Sequence, residues 1–332
     1  MPPILFLKLI AIFVTIAIGW AAGRTAAFRG GDAARILSNA AFYIFAPALL
    51  FRATARIDFH AMPWRALLVF FVPVVAWMLL VYAWQRRSLR QEPAASPARP
   101  AARAITAAFG NNAQLGIPMA AALFAEAGLQ IHVAVVSLHA LTLLTILTLL
   151  VERDLAHAQA QASGQRAPLG RTLALVAKNT IVHPIVLPVL AGMGWNLTGW
   201  PLPGPVDEVL QMLGTAVVPL CLVAIGLSLG HYGLKGAAAS AVALSAGKLL
   251  VQPALVLAAG LAVGGLAGLP LAVIVMAASN PTGANALMFA QRYRTQEGET
   301  TAAIVVSTLA FVVTAPLWLV LLGLLPGGLG VR

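Results

Sequence analysis

Charge is scarce in this sequence. Lys, Arg, Asp and Glu together supply 9% of the 332 residues, against roughly 25% in soluble domains. Too little polar surface exists to cover a globule, which excludes a soluble enzyme or binding module. Acidic residues are the rarest of the charged types, ten in all, and none falls in the hydrophobic part of a long apolar run. Carboxylate-pair catalysis and a buried Ser–His–carboxylate set are therefore excluded at depth. No phosphate-cradling glycine loop leads into Lys-Ser/Thr, and no His-Glu-x-x-His spacing occurs, so neither direct ATP drive nor a zinc hydrolase is expected. The sequence predicts no enzyme, no cofactor and no metal site. Cys221 is the single cysteine, so no intrachain disulfide can form.

What is present is hydrophobic length. About 20 apolar residues at 1.5 Å rise cross the roughly 30 Å hydrocarbon layer. That ruler predicts ten spans, near 4–23, 35–55, 64–85, 104–125, 131–151, 171–194, 206–229, 237–264, 268–291 and 301–325. The first has no basic stretch before it and exceeds a signal-peptide core, so it is expected to stay in the membrane. Segments 86–103 and 152–170 read as solvated loops. The net charge of +11 is not a nucleic-acid footprint, because the basic residues sit in short connections between apolar runs. Fourteen of the 21 Lys and Arg, among them Arg24, Arg86, Arg103, Arg153 and Arg292, fall in connections after odd-numbered spans; five, including Arg52 and Arg56, fall on the other side. The positive-inside rule then puts both termini outside, periplasmic in a bacterial inner membrane.

The two halves echo each other. Asn39 precedes Pro47 by eight residues in the second span, and Gln211 precedes Pro219 by eight in the seventh. Pro73 and Pro253 mark the third and eighth. "FGNNAQLGIP" (109–118) interrupts the fourth where "SNPTGANA" (279–286) interrupts the ninth. Residues 1–155 and 171–332 thus read as two five-helix repeats joined by a cytoplasmic linker, 156–170. An odd number of spans per repeat inverts the second copy, a symmetry used by alternating-access carriers. The expected fold is an all-α integral membrane protein with broken, crossing fourth and ninth helices.

Non-helical chain survives at membrane depth only inside protein or beside a water-filled cavity. Gly110, Gly116, Pro118, Asn280, Pro281 and Gly283 should break the helical ladder there, since proline lacks an N–H and restricts its predecessor. Orphan N–H groups are expected near Gly116–Pro118 and Thr282–Ala284, at the positive ends of two half-helices. With the side-chain amides of Asn111, Asn112, Gln114, Asn280 and Asn285, and with Thr282, they make an anion site that needs no fixed charge. Lys248, mid-span without a carboxylate partner, either faces the anion pathway or snorkels to an interface. His139 and His183 read as proton relays or packing residues. Asn39 and Gln211 line the cavity or tie helices together.

These stretches, with "FAPALLF" (45–51), "VVPLCLVAIGLSL" (217–229) and "KLLVQPAL" (248–255), resemble the auxin efflux carrier family over nearly the whole chain. The likeness is strongest to its bacterial malonate carriers. It implies a scaffold domain and a transport domain, the broken helices crossing in the latter. Asn111, Asn112, Gly116 and Pro118 match the family's first crossover element, and Asn280 and Pro281 the second. One departure stands out: members often open the sixth span with Asn-Pro, whereas here Asn179-Thr180 precedes His183-Pro184.

The expected function is secondary active transport of a small carboxylate, malonate or a related mono- or dicarboxylate, coupled to H⁺ or Na⁺. The alternatives are a passive anion channel, a carrier of another anion such as an auxin-like or hydroxy acid, and a receptor without turnover. The partners expected are the substrate and the lipid bilayer, with a homodimer left open.

Overall fold

The computed structural model describes residues 3–28, 32–56, 62–89, 95–162, 186–232, 238–262 and 266–325. It is helical throughout, with no β-strand among these residues. In chain order the helices are α1 (Pro3–Gly23), α2 (Asp32–Ala40), α3 (Ala46–Ala55), α4 (Trp64–Leu89), α5 (Arg99–Ala108) and α6 (Ile117–Ala162), the last broken at Ala125, whose φ of 52° and ψ of -157° lie outside helical geometry. After these come α7 (Val186–Leu197), α8 (Gly204–Tyr232), α9 (Ala238–Ala246), α10 (Gln252–Ala262), α11 (Leu269–Ser279), α12 (Asn285–Arg292) and α13 (Glu297–Gly323). Five described helical segments are long and apolar enough to cross a membrane, and shorter apolar helices accompany them at Val14–Gly23, Tyr43–Ala55 and Leu269–Ser279.

Three wide π-turns interrupt otherwise regular helix: Ala41–Phe45, Asn112–Gly116 and Gly247–Val251. The first precedes Pro47 and the third precedes Pro253. Proline removes one helical N–H and thereby frees the carbonyl four residues earlier. For Pro253 that carbonyl belongs to Leu249, and the indole Nε1 of Trp318 donates to it at 2.8 Å. The kink is therefore fully hydrogen-bonded inside the bundle.

Packing sorts the helices into two sets. One comprises α1, α2, α3, α7 and α8, where α1 lies along α8 and α3 bridges α7 and α8. Its tightest seam runs through Gly226, where any Cβ would collide with the Ile16 carbonyl, so glycine lets the two backbones touch. The other set comprises α4, α5, α6 and α9–α13. Within it α11 is buried on every side from Leu271 to Ser279, which an all-round apolar helix requires. Outward faces stay apolar, as at Val313 and Val320 of α13 and Leu80 of α4. Trp64 and Trp84 mark the two ends of α4, as interfacial aromatics do.

Two expectations about loops need correction. Residues 152–162 continue α6 as helix, and α4 and α5 extend into 86–103. Arg99 is buried, and Arg103 forms a two-pronged ion pair with Glu299 (2.8 and 2.7 Å) while donating to Gln85 at 2.8 Å. Charge at a helix end marked solvent in the sequence; here it is consumed by ion pairs between helices.

Candidate functional site: the crossing of two broken helices

The two breaks meet. Gly110 and Thr282 form an isolated antiparallel bridge, in which the Asn111 N–H donates to the Pro281 carbonyl (2.7 Å) and the Gly283 N–H to the Phe109 carbonyl (2.9 Å). The residues flanking Gly110 and Thr282 thus satisfy each other where no helix can. The side chains join as well: Asn280 Nδ2 donates to Asn112 Oδ1 at 2.7 Å.

Each half-helix that runs into the crossing ends in carbonyls that the helix itself cannot satisfy. Around the end of α5, Trp77 Nε1 donates to Ala107 (2.9 Å), Gln252 Nε2 to Ala108 (3.1 Å) and Thr282 Oγ1 to Thr106 (3.0 Å). At the end of α11, Lys248 Nζ donates to the Ala278 carbonyl at 2.6 Å. Lys248 is fully buried and does not snorkel. Neither does it line the cavity described below. Its ammonium lies behind the bridge, 3.4 Å from where a Cβ on Gly110 would stand.

The first half-helix that leaves the crossing begins earlier than its proline suggested, and the second begins later. The Asn111 carbonyl already accepts from the N–H of Leu115 (3.3 Å) and Gly116 (3.2 Å), so the orphan donors fall at Asn112, Ala113 and Gln114 rather than at Gly116–Pro118. Pro118 is the second residue of α6, which directly follows the π-turn Asn112–Gly116. In the other strand Thr282 N–H is taken by Ser307 Oγ (3.1 Å) and Gly283 N–H by the bridge. The unsatisfied start there moves to Ala284 and Asn285. Gly116 has a different role from the one expected: a Cβ there would collide with His132 Nε2 and crowd Asn280 Nδ2, so it permits close approach. His132 Nε2 in turn donates to the Asn112 carbonyl at 2.8 Å, fixing the turn.

A cavity of about 180 Å³ opens beside the bridge. Of the residues singled out in the sequence, Gly110, Asn111, Asn112, Gly283, Asn285 and His139 line it. Asn280 and Thr282 stand behind them, fully buried, and Pro281 gives its carbonyl to the bridge. Asn39 is exposed on α2, away from the cavity, while Gln211 accepts from Arg52 at 2.9 Å and so ties α8 to α3. His183 lies outside the described residues, as do the side chains of Gln114 and Pro118. Asn112 Nδ2 and His139 Nε2 are buried and have no hydrogen-bond partner among the described residues. Both line the cavity and can meet a polar guest.

The cavity walls are unequal. Every polar side chain lining it comes from the set containing α5, α6 and α12; the facing wall from α3 and α8 consists of Leu49, Leu50, Ala53, Val217 and Val218. Ala53 and Ser137 also belong to a vestibule of about 700 Å³, which carries Arg52, Arg56, Glu126 and Gln130. Asp207 holds both arginines there, Arg52 at 2.7 Å and Arg56 at 3.0 Å. On the opposite side the sets are latched by Arg35 and Glu297 at 3.4 Å. Sequence reading missed the vestibule arginines, Ser137 and His132. Gln211 takes the helix-tying role of its two expected ones, beside Asp207, which lies four residues before it and binds the same arginine.

Comparison with known proteins agrees with this architecture. Residues 4–319 match a family model described as "Membrane transport protein". An "Uncharacterized transporter" of Methanothermobacter thermautotrophicus is 27% identical over 300 residues, covering 88% of this chain and 90% of that protein. A Rhizobium meliloti protein named "Putative malonate transporter" is 29% identical over 156 residues, 46% of this chain and 49% of its own length. With its family model matched from the first helix to the last, the chain belongs to the membrane transport proteins of the auxin efflux carrier family.

Proposed function

We propose that the protein is a secondary carrier that moves a small organic carboxylate, malonate or a close mono- or dicarboxylate, by alternating access. The observation that carries this reading is the cavity at the crossing: donors without acceptors, Asn112 Nδ2 among them, converge where two helix N-termini begin. An anion bound there meets partial positive charge and directed N–H groups. The volume of about 180 Å³ lies well below the roughly 300–1,000 Å³ of sites for drug-sized ligands. A sterol or bile acid does not fit such a space, whereas a short carboxylate does. The malonate assignment draws on the partial likeness to the Rhizobium meliloti protein's printed name.

In this mechanism the anion enters past Arg52 and Arg56, passes Ala53 and Ser137, and docks on the amides. The set holding the crossing then shifts against the apolar wall until the Arg35–Glu297 side opens. Ten spans in two inverted five-helix repeats, with both termini periplasmic, fit this cycle. The distribution of Lys and Arg supports that orientation, and the antiparallel meeting of the breaks supports the inversion.

Uptake of labelled malonate and a panel of short carboxylates into proteoliposomes tests the reading. A carrier accelerates uptake when unlabelled substrate is preloaded; a channel does not. Asn112→Ala is expected to lower uptake at least tenfold while the purified protein stays folded. Wild-type uptake by that variant would show that the anion binds elsewhere.

A further inference from the structure

Lys248 brings a basic side chain into the buried interior of the bundle. It is fully buried and forms no ion pair among the described residues. Isolating an ammonium in this way costs several kcal/mol unless something nearby supplies negative potential. The compensation here is the C-terminal end of α11, whose terminal carbonyls carry about half a negative charge. The ammonium sits on one of them, Ala278. Gln252, one turn further along the same strand of sequence, does the equivalent for α5 through the Ala108 carbonyl. The wide turn Gly247–Val251 lies between the two side chains, where an extra residue re-aims a helix face. One half-helix end is therefore capped by a neutral amide and the other by a tethered cation.

Exposed carbonyls at half-helix C-termini are the groups with which broken-helix carriers coordinate a coupling cation. We propose that Lys248 permanently fills that coordination position, so that the protein works without Na⁺. The ammonium also supplies the fixed positive charge behind Gly110 against which the anion docks. This extends the carrier reading, and its test is separable from it. No acidic residue lines the cavity to rebuild a metal cage elsewhere.

The first measurement needs no substrate. Purified wild-type protein is unfolded thermally in NaCl, KCl and choline chloride at equal ionic strength, and equal midpoints are expected. A saturable rise with Na⁺ alone would mean a metal site exists and would overturn the proposal. Lys248→Ala vacates the position, and millimolar methylammonium or Na⁺ is then expected to raise that variant's midpoint by about 2–4 °C without affecting wild type. A folded Lys248→Ala that responds to neither cation contradicts the proposal. Lys248→Met keeps length and loses charge, so carboxylate uptake should fall at least tenfold, and wild-type uptake by this variant would refute the role. Should Lys248→Ala fail to fold, the wild-type salt series and Lys248→Met still decide. Absence of carboxylate uptake by wild type would sink the carrier reading alone, leaving the thermal series to judge the cation.

Discussion

The two breaks solve one problem by different means. Both leave a half-helix ending in the middle of the bundle, and both hand an extended residue to the other. The first break, at Phe109–Asn111, is surrounded by neutral donors (Trp77, Gln252 and Thr282) and passes through a π-turn into the first part of α6, which runs from Ile117 to a second break at Ala125. The second, at Asn280–Gly283, ends on an ammonium and restarts abruptly in the eight-residue α12, with Ser307 holding the Thr282 N–H. The first break offers its Asn111 and Asn112 amides to the cavity; the second reaches the cavity with Gly283 and Asn285 and gives most of its support from behind, through Asn280. Near-symmetry in backbone thus coexists with a division between a recognising side and a bracing side.

Several substitutions would sharpen or break that division. The largest effect is expected from Gly116→Ala, whose Cβ must displace His132 or Asn280. Overpacking of this kind costs about 1–3 kcal/mol, and because it spreads the crossing, both thermal midpoint and carboxylate uptake should fall. Next comes Gln252→Leu, which leaves the buried Ala108 carbonyl unpaired at a cost of about 1–3 kcal/mol. The bracing view expects stability to drop with anion affinity changed less than threefold, measured by thermal shift with added malonate. Asn112→Ala and Asn280→Ala combined should show a coupling of about 0.5–3 kcal/mol in a double-mutant cycle on thermal stability; strict additivity would mean that the amide pair does not act as a unit. Ser307→Ala removes the acceptor for Thr282 N–H and should cost about 0.5–1.5 kcal/mol by chemical or thermal denaturation. The smallest change belongs to Arg56→Gln at the half-open vestibule, no more than about 1 kcal/mol in stability, while its effect on the apparent KM for an anion should shrink as salt is raised.

Much of this was legible in the sequence because proline, glycine and asparagine act locally. "FGNNAQLGIP" and "SNPTGANA" could not continue a helix, and helix-length flanks on each side left them no place but the interior. Helix boundaries at 64 and near 204, and the π-turns before Pro47 and Pro253, follow from the same short-range rules. What could not be read depends on which distant atoms come together. The start of α6 at a π-turn depends on His132 reaching the Asn112 carbonyl. Lys248 gave only its depth, and the two sequence alternatives both missed a third: a cap for a half-helix from another part of the chain. The arginines counted for topology at positions 52 and 56 turned out to share one carboxylate, Asp207, some 150 residues away by sequence separations of 155 and 151. Spacing along one strand of sequence carries no trace of such a partner.

The aliphatic wall formed by Leu49, Leu50, Val217 and Val218 has a consequence for motion. Hydrophobic contact is non-directional, so a surface of branched alkyl groups opposes a guest equally well at many offsets and rewards none of them. A passenger held only by the amide side can therefore ride along that wall without breaking a single oriented bond to it. Planting one hydroxyl or amide on the smooth face would create a preferred stop, and a track that favours one stop is a poor track.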